Sequence, residues 1–474
     1  MATPVFAPAP AHHHAAPAAT SGVDHEARRR FAVRLVLFIY VLSLLEGPLR
    51  KWFLPGLATP IYFLRDPFVV LLYVYCLQHR LFAWGGLGRL WLGFAVAASL
   101  VALLPFAFYG IDVRAWVLGV RSYWVYLPLA FAIAGTFRRE DVERFLRWNV
   151  LLAVPYAFLI ATQYGAGRDA WVNRGIAGDS ESAVGLGEEI LRPFGLFTYT
   201  GPNVGFTAAM IAFFLAWYLM GARVRWRPVI LAAGAVAVGT MAVLTGSRSI
   251  YFLAGAILAT TLVGSTLANP TPRTIGRNLG IALFVALAAG LFVTVYSDML
   301  AAMEVRFERA AANEGSIWRR ALAGPIAFVE PLSTAPLFGY GIGTGTPAIA
   351  RFVGNPALIY GEGELQRVVN ELGVALGLAF VLLRYGTAAT LGLRALATAR
   401  RGELAILPLA GYTAVPIAMG QITHSPINGF MPWLAVGLVL ALASTLASDA
   451  GPQPVRKTVF TPGSTARDAR SERP

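Results

Sequence analysis

Cysteine occurs once, at Cys76, which excludes an internal disulfide; its place in an apolar run suits a packing residue. Charge is scarce too. Asp, Glu, Lys and Arg make up 14% of the 474 residues, where a soluble domain carries about a quarter. The short alternating strands of a membrane β-barrel are missing. Residues 1–27 lack the apolar stretch and cleavage site of a secretory leader, and their Ala- and Pro-rich composition reads as a disordered tail. His12, His13 and His14 in that tail read as an incidental patch rather than a metal site. The chain from 448 onward, with Pro, Gly and alternating charges, reads as a second disordered tail.

What is present is apolar surface: 57% hydrophobic residues and a mean hydropathy of +0.60. It falls into separate runs of the length that crosses a bilayer as helix, about 20 residues, and only closed backbone hydrogen bonding survives there. The expected fold is therefore an all-α integral membrane protein. Twelve spans are expected: Phe31 to Leu45, Pro60 to Leu77, Leu90 to Phe108, Trp116 to Gly135, Trp148 to Tyr164, Pro202 to Met220, Val229 to Leu244, Ile250 to Leu267, Leu279 to Tyr296, Val368 to Leu383, Leu404 to Gln421 and Phe430 to Leu446. The organisation is a tail over 1–30, nine helices over 31–296, a large outer loop over 297–367, three helices over 368–447 and a tail over 448–474.

Orientation follows from Lys and Arg. Arg28, Arg29 and Arg30 precede the first run, and Arg138, Arg139, Arg144 and Arg147, then Arg223, Arg225 and Arg227, recur after every second one. Arg273 and Arg277, then Arg394, Arg400 and Arg401, and finally Arg456 and Lys457 keep the parity. Both termini are expected in the cytoplasm and the loop 297–367 outside. The excess of basic residues (39 against 25 acidic) then reflects attraction to anionic membrane lipid, and no nucleic-acid partner is implied.

Several arginines stand on the outer side, against that trend. Arg248 occupies the tight hairpin Leu244-Thr-Gly-Ser-Arg-Ser-Ile. A charge so close to hydrocarbon reads as a functional site, with a headgroup anchor as the plainer alternative. Arg192 precedes the sixth span, and Arg121 and Arg65 lie near the outer ends of the fourth and second. Arg65 beside Asp66 also reads as a neutralised structural pair. Together they suit an anion at the membrane surface, since guanidinium forks match phosphate oxygens. In the large loop, residues 317–329 read as a helix with Trp318, Leu322 and Ile326 on one face. After it, Gly339, Gly341 and Gly343 alternate in Phe338-Gly-Tyr-Gly-Ile-Gly-Thr-Gly. The spacing reads as a tight loop returning the chain to the membrane, or as backbone that approaches a phosphate or sugar; it lacks the Lys of a nucleotide loop.

Three motifs in order resemble the O-antigen ligase and Wzy-type polysaccharide polymerase superfamily. They are Arg192-Pro-Phe-Gly-Leu-Phe with Gly201-Pro-Asn; the Thr245-Gly-Ser-Arg-Ser hairpin; and the loop carrying Trp318-Arg-Arg-Ala-Leu, Pro336-Leu-Phe-Gly-Tyr-Gly-Ile-Gly-Thr-Gly and Asn370-Glu-Leu-Gly-Val-Ala-Leu-Gly. Residues before about 190, including Glu46-Gly-Pro-Leu-Arg-Lys-Trp, add little to the likeness. The resemblance implies a type-C glycosyltransferase architecture in the bacterial inner membrane. It implies transfer of a glycan from undecaprenyl diphosphate to a hydroxyl on the periplasmic side, with no metal or other cofactor, in O-antigen or exopolysaccharide synthesis. By motif position Arg192 and Arg248 would hold the diphosphate, with Arg121, Arg319 and Arg320 as further substrate-binding candidates. Other polysaccharide assembly proteins are possible partners. Ligases of that family carry a loop His that this chain lacks. Glu362 stands near the matching place with Glu364 beside it, and His424, in Thr423-His-Ser-Pro-Ile-Asn, is a rival base. The missing His favours a polymerase over a ligase acting on lipid A core; a transporter or flippase of a lipid-linked glycan is the alternative of another class.

Overall fold

The computed structural model describes residues 20–110, 112–176, 191–221, 223–295, 324–346, 349 and 363–449. Among them the secondary structure is helical, with no β-strand. The principal helices are α1 (Thr20–Pro48), α2 (Asp66–Gln78), α3 (Gly85–Val101, continued after a break at Ala102 by Leu103–Tyr109), α4 (Val113–Trp124) and α5 (Leu127–Thr136). They continue as α6 (Arg139–Gly165), α7 (Thr200–Met220), α8 (Arg227–Leu244), α9 (Arg248–Ala268), α10 (Pro272–Val295), α11 (Glu364–Arg400), α12 (Ile406–Met419) and α13 (Pro426–Asp449). Ten helical stretches among the described residues are long and apolar enough to cross a membrane. The ninth and eleventh expected spans are helices as well, α10 and the shorter α12. The chain is a multi-pass membrane protein of all-α fold.

Two boundaries differ from the hydropathy reading. Helix α1 begins at Thr20 rather than at Phe31, because its polar first turns are held by Glu26 paired with Arg29 and Arg30 three and four residues on. Helix α11 begins at Glu364, inside the segment read as loop, and runs for 37 residues. The segment 317–323, and with it most of the helix expected in the large loop, lies outside the described residues, as do 1–19 and 450–474.

Helices cannot associate in lipid by excluding water, so close packing and polar contacts hold the bundle. Helix α12 is wrapped by α11, α9, α13 and α7, and α13 lies along α5. Between α3, α4, α11 and α13 an aromatic cluster fills the centre. Trp91 meets Trp433 edge-on at 5.2 Å and Phe380 at 5.8 Å, and its indole N–H donates to Thr387 Oγ1 at 2.9 Å. The indole thus keeps its one donor satisfied within an apolar centre.

The two ends of the bundle differ. At one end Arg29 reaches Thr136 O and Asp141, Arg138 pairs with Glu26, and Arg139 pairs with Glu403. These are the arginine-rich connections, tied to one another. The opposite end carries the connections after α1, α3, α6, α8, α10 and α12, and there the chain opens into a cavity.

Candidate functional site

The cavity has a volume of about 1070 Å³ and draws its wall from segments far apart in sequence. Glu46, Arg50, Tyr62, Tyr199 and His424 supply most of its chemistry; Phe63, Val117 and Leu118 supply apolar wall.

Its floor begins where α1 passes through Leu49–Phe53 as a π-helical turn. π-turns re-aim side chains and recur at functional sites. Here the turn sends Arg50 and Lys51 in different directions. Arg50 Nη1 donates to Glu46 Oε1 and Nε to the carbonyl of Ala58, both at 2.9 Å, with the Tyr62 ring 5.1 Å from the guanidinium. Glu46 turns its other oxygen to Arg65, whose Nη2 lies 2.7 Å away, close enough for an ion pair but off the hydrogen-bond axis. Arg65 is wholly buried, over the ring of Tyr126. Asp66, its sequence neighbour, pairs with Arg121 at 2.6 Å. Arg65 and Asp66 are thus each ion-paired, but to residues of α1 and α4 rather than to each other.

Lys51 points inward, and only 1% of it is exposed. Its Nζ donates to Gly195 O at 2.8 Å and Phe197 O at 2.7 Å, between the rings of Trp52 and Phe194. Gln163 completes the anchor by accepting from Gly195 N at 2.7 Å. A Cβ on Gly47 would stand 1.7 Å from Leu196 O, so only glycine lets this turn lie against α1. The Arg192-Pro-Phe-Gly-Leu-Phe segment is therefore moulded on α1. It delivers Tyr199, whose hydroxyl meets Ser425 Oγ at 2.7 Å and donates to Asn428 Oδ1 at 3.1 Å. Burial raises the Tyr199 pKa, so the phenol stays protonated.

A second buried network lies beside the cavity. Helix α11 is broken at Gly373, with φ 82°. The break releases the carbonyls of Asn370 and Glu371, which accept from Tyr340 N at 2.9 Å and Gly341 N at 3.0 Å. Irregular backbone persists inside a membrane protein only where its polar groups are so satisfied. The Glu371 carboxylate accepts from Gly343 N and Gly345 N, both at 2.9 Å, from the Tyr123 hydroxyl, and from Arg367 at 2.7 Å. Arg367 also donates to Glu364 and, at 2.8 Å, to Thr423 Oγ1. Glu364 accepts from Thr423 N at 3.0 Å. Arg384 contacts Glu364 and caps the carbonyls of Pro416, Ile417 and Gly420 at the end of α12, where a cation suits the helix dipole. The chain of contacts ends at Thr423, next to His424. The His424 pKa is lowered, by burial and then by Arg367, with Glu364 opposing, so the imidazole is neutral at pH 7.

Of the residues singled out in the sequence, His424 lines the cavity. Arg192 and Arg248 are half-buried, in the turn held by Lys51 and at the first residue of α9, and neither is in the cavity wall. Arg121 is engaged by Asp66 and by the carbonyl of Tyr62. Gly339, Gly341 and Gly343 all have positive φ and lie against α11, Phe106 and α4; the amides of Gly341 and Gly343 are taken by Glu371. Glu362, Arg319 and Arg320 lie outside the described residues. Sequence reasoning missed Glu46, Arg50 and Lys51. Their signal was a Glu-Gly-x-x-Arg-Lys-Trp run at the end of a span, where charges read as ordinary flanks.

The chain matches none of the models of known protein families, and no curated protein is significantly similar to it.

Proposed function

We propose that this protein is a membrane glycosyltransferase that polymerises glycans carried on undecaprenyl diphosphate, at the periplasmic face of the bacterial inner membrane. The observation that carries the reading is the cavity, which opens at the end of the bundle away from the arginine-rich connections. Its wall combines guanidinium, carboxylate, phenol and imidazole groups with apolar surface. Ligands are typically held in such concave sites, largely apolar with a few convergent polar groups. The proposal includes twelve spans with both termini in the cytoplasm, which puts the cavity on the periplasmic side. The three motifs that resemble the O-antigen ligase and Wzy-type polymerase superfamily add the reaction class.

In this reading the bond between the sugar C1 and the phosphate oxygen breaks, and a bond forms between C1 and the acceptor hydroxyl oxygen. The acceptor proton passes to His424, neutral and in the cavity wall, or to Glu362. Polyprenyl diphosphate leaves as an anion, and arginine stabilises the charge that grows on its bridging oxygen. No group needs to protonate so good a leaving group.

The test is deletion of the gene, followed by analysis of lipid-linked intermediates. Accumulated single repeat units are the expected result. Accumulated long polymer would instead make the protein a ligase to lipid A core. Repeat units trapped on the cytoplasmic face would make it a flippase.

A further inference from the structure

The two buried ionic groups at the cavity end differ in charge balance. Around Arg367 the count closes, with Glu364 and Glu371 facing Arg367 and Arg384. Around Glu46, among the described residues, it does not: Glu46 and Asp66 face Arg50, Arg65 and Arg121. Arg114, at the rim, pairs with Asp112. Lys51 beside them meets carbonyls and rings and brings no negative charge. Nor is this cluster bathed in water. Arg65 is 0% exposed, and the side chains of Arg50 and Arg121 are 12% and 11% exposed. An uncompensated positive charge in such surroundings is costly unless an anion completes it.

The open position is at Arg50. Two of its nitrogens are used, by Glu46 and Ala58, and Tyr62 backs the guanidinium. Its Nη2 has no protein partner among the described residues, and Arg50 lines the cavity. Two further wall residues, Phe63 and Val117, are 39% and 53% exposed. The cavity therefore has a partly exposed apolar flank built from the start of the second span and from α4.

We propose that the cluster of Glu46, Arg50, Arg65, Asp66 and Arg121 is a phosphate-recognition site, with Arg50 as the contact residue. Its ligand is a lipid with a phosphate-type headgroup, whose hydrocarbon passes out between Phe63 and Val117. This deepens the donor reading above and rests on it for the identity of the lipid; the anion site follows from the charge count among the described residues and from the place of Arg50 in the cavity wall. It also separates Arg50 from Arg192 and Arg248, which the motifs single out but which are not in the cavity wall.

The experiment is equilibrium binding to the full-length protein in detergent, with inorganic pyrophosphate and farnesyl diphosphate as probes. Wild type should bind farnesyl diphosphate more tightly than pyrophosphate. Arg50→Gln should weaken both on the order of tenfold to a hundredfold, the range for a charge-assisted hydrogen bond. Arg50→Lys, which keeps the charge and the pairing with Glu46, should recover part of the loss. Val117→Trp should weaken farnesyl diphosphate and leave pyrophosphate unchanged. Unaltered binding of both probes to Arg50→Gln would overturn the site. Equal wild-type affinity for the two probes, or no effect of Val117→Trp, would overturn the lipid as the source and leave a site for a free phosphate. Intact Arg50-dependent binding in a protein whose deletion leaves lipid-linked glycans unchanged would sink the enzyme reading alone. Accumulated repeat units with Arg50-independent binding would sink this inference alone.

Discussion

Lys51 donates to the carbonyl oxygen of Gly195, 2.8 Å away and 144 residues later in the chain. One ammonium from the first span thus fixes the turn that leads into α7 and sets Tyr199 in the cavity wall. Lys51→Met keeps the length of the side chain but strands the carbonyl of Phe197 and leaves that of Gly195 with Gln163 Nε2, 3.1 Å away. A stranded buried carbonyl costs about 1–3 kcal/mol, so the variant should melt below wild type in detergent. An unchanged melting temperature would show that the turn holds without the ammonium.

The Glu371 carboxylate accepts from two loop amides, a phenol and a guanidinium. In Glu371→Gln, Arg367 retains only Glu364 as a carboxylate partner, and breaking a buried pair costs about 3–5 kcal/mol. The expected outcome is faster proteolysis within 324–346 and loss of polymer. Normal protease resistance with normal polymer would remove Glu371 as the clamp of the glycine segment.

His424 makes the protein sensitive to acid. Its folded pKa lies below the ordinary 6.5, so below pH 6.5 the unfolded chain takes up protons that the folded chain refuses. Stability therefore falls as the pH drops from 6.5 toward the folded pKa and levels off below it. Melting curves at pH 5 and pH 7 should show this loss in wild type and a smaller one in His424→Gln. Identical pH dependence in the two proteins would contradict it.

Arg248 stands at the first position of α9, half-buried at the cavity end of the bundle. If it stabilises the departing diphosphate, Arg248→Ala should lower the rate by roughly 10²–10³, the effect of removing a preorganised donor to a growing anion. Arg248→Lys should recover part of it, because the fork is lost and the charge kept. Polymer length in a deletion strain carrying each variant at matched membrane levels gives the answer; wild-type polymer from Arg248→Ala would make the residue an anchor.

Orientation is tested with single cysteines in a Cys76→Ser background. Asn269→Cys lies exposed between α9 and α10, and Ser333→Cys lies exposed at the other end. A membrane-impermeant thiol reagent should label position 333 and not 269 in cells with a permeabilised outer membrane. The reverse pattern would invert the topology and remove the proposed chemistry with it.

The spans and the arginine-rich connections are legible in the sequence because each is a local signal: twenty apolar residues, or a cluster of like charges. Helix α11 shows where such signals stop. Its first two turns carry Glu364, Arg367 and Glu371, so its hydropathy reads as loop, yet these charges are satisfied by one another and by Thr423 and the 343–345 amides. Alternate glycines likewise suggest a cradle for a ligand until the carboxylate that occupies their amides is placed. The Glu46 cluster was illegible for the same reason. Its partners come from α1, α2 and α4, and no spacing rule joins residues 46, 65 and 121.

The break at Gly373 also bears on how the protein is made. The carbonyls and the carboxylate that accept from the amides of Tyr340, Gly341, Gly343 and Gly345 belong to residues 370 and 371, so those four contacts cannot form until α11 has emerged from the ribosome. Thr423, which closes the network, is synthesised later still. Residues 340–345 therefore cannot acquire their final contacts while the earlier spans are inserting. They are set last, as the closing helices arrive, and a chain truncated before α11 would leave this segment unfinished and open to proteases.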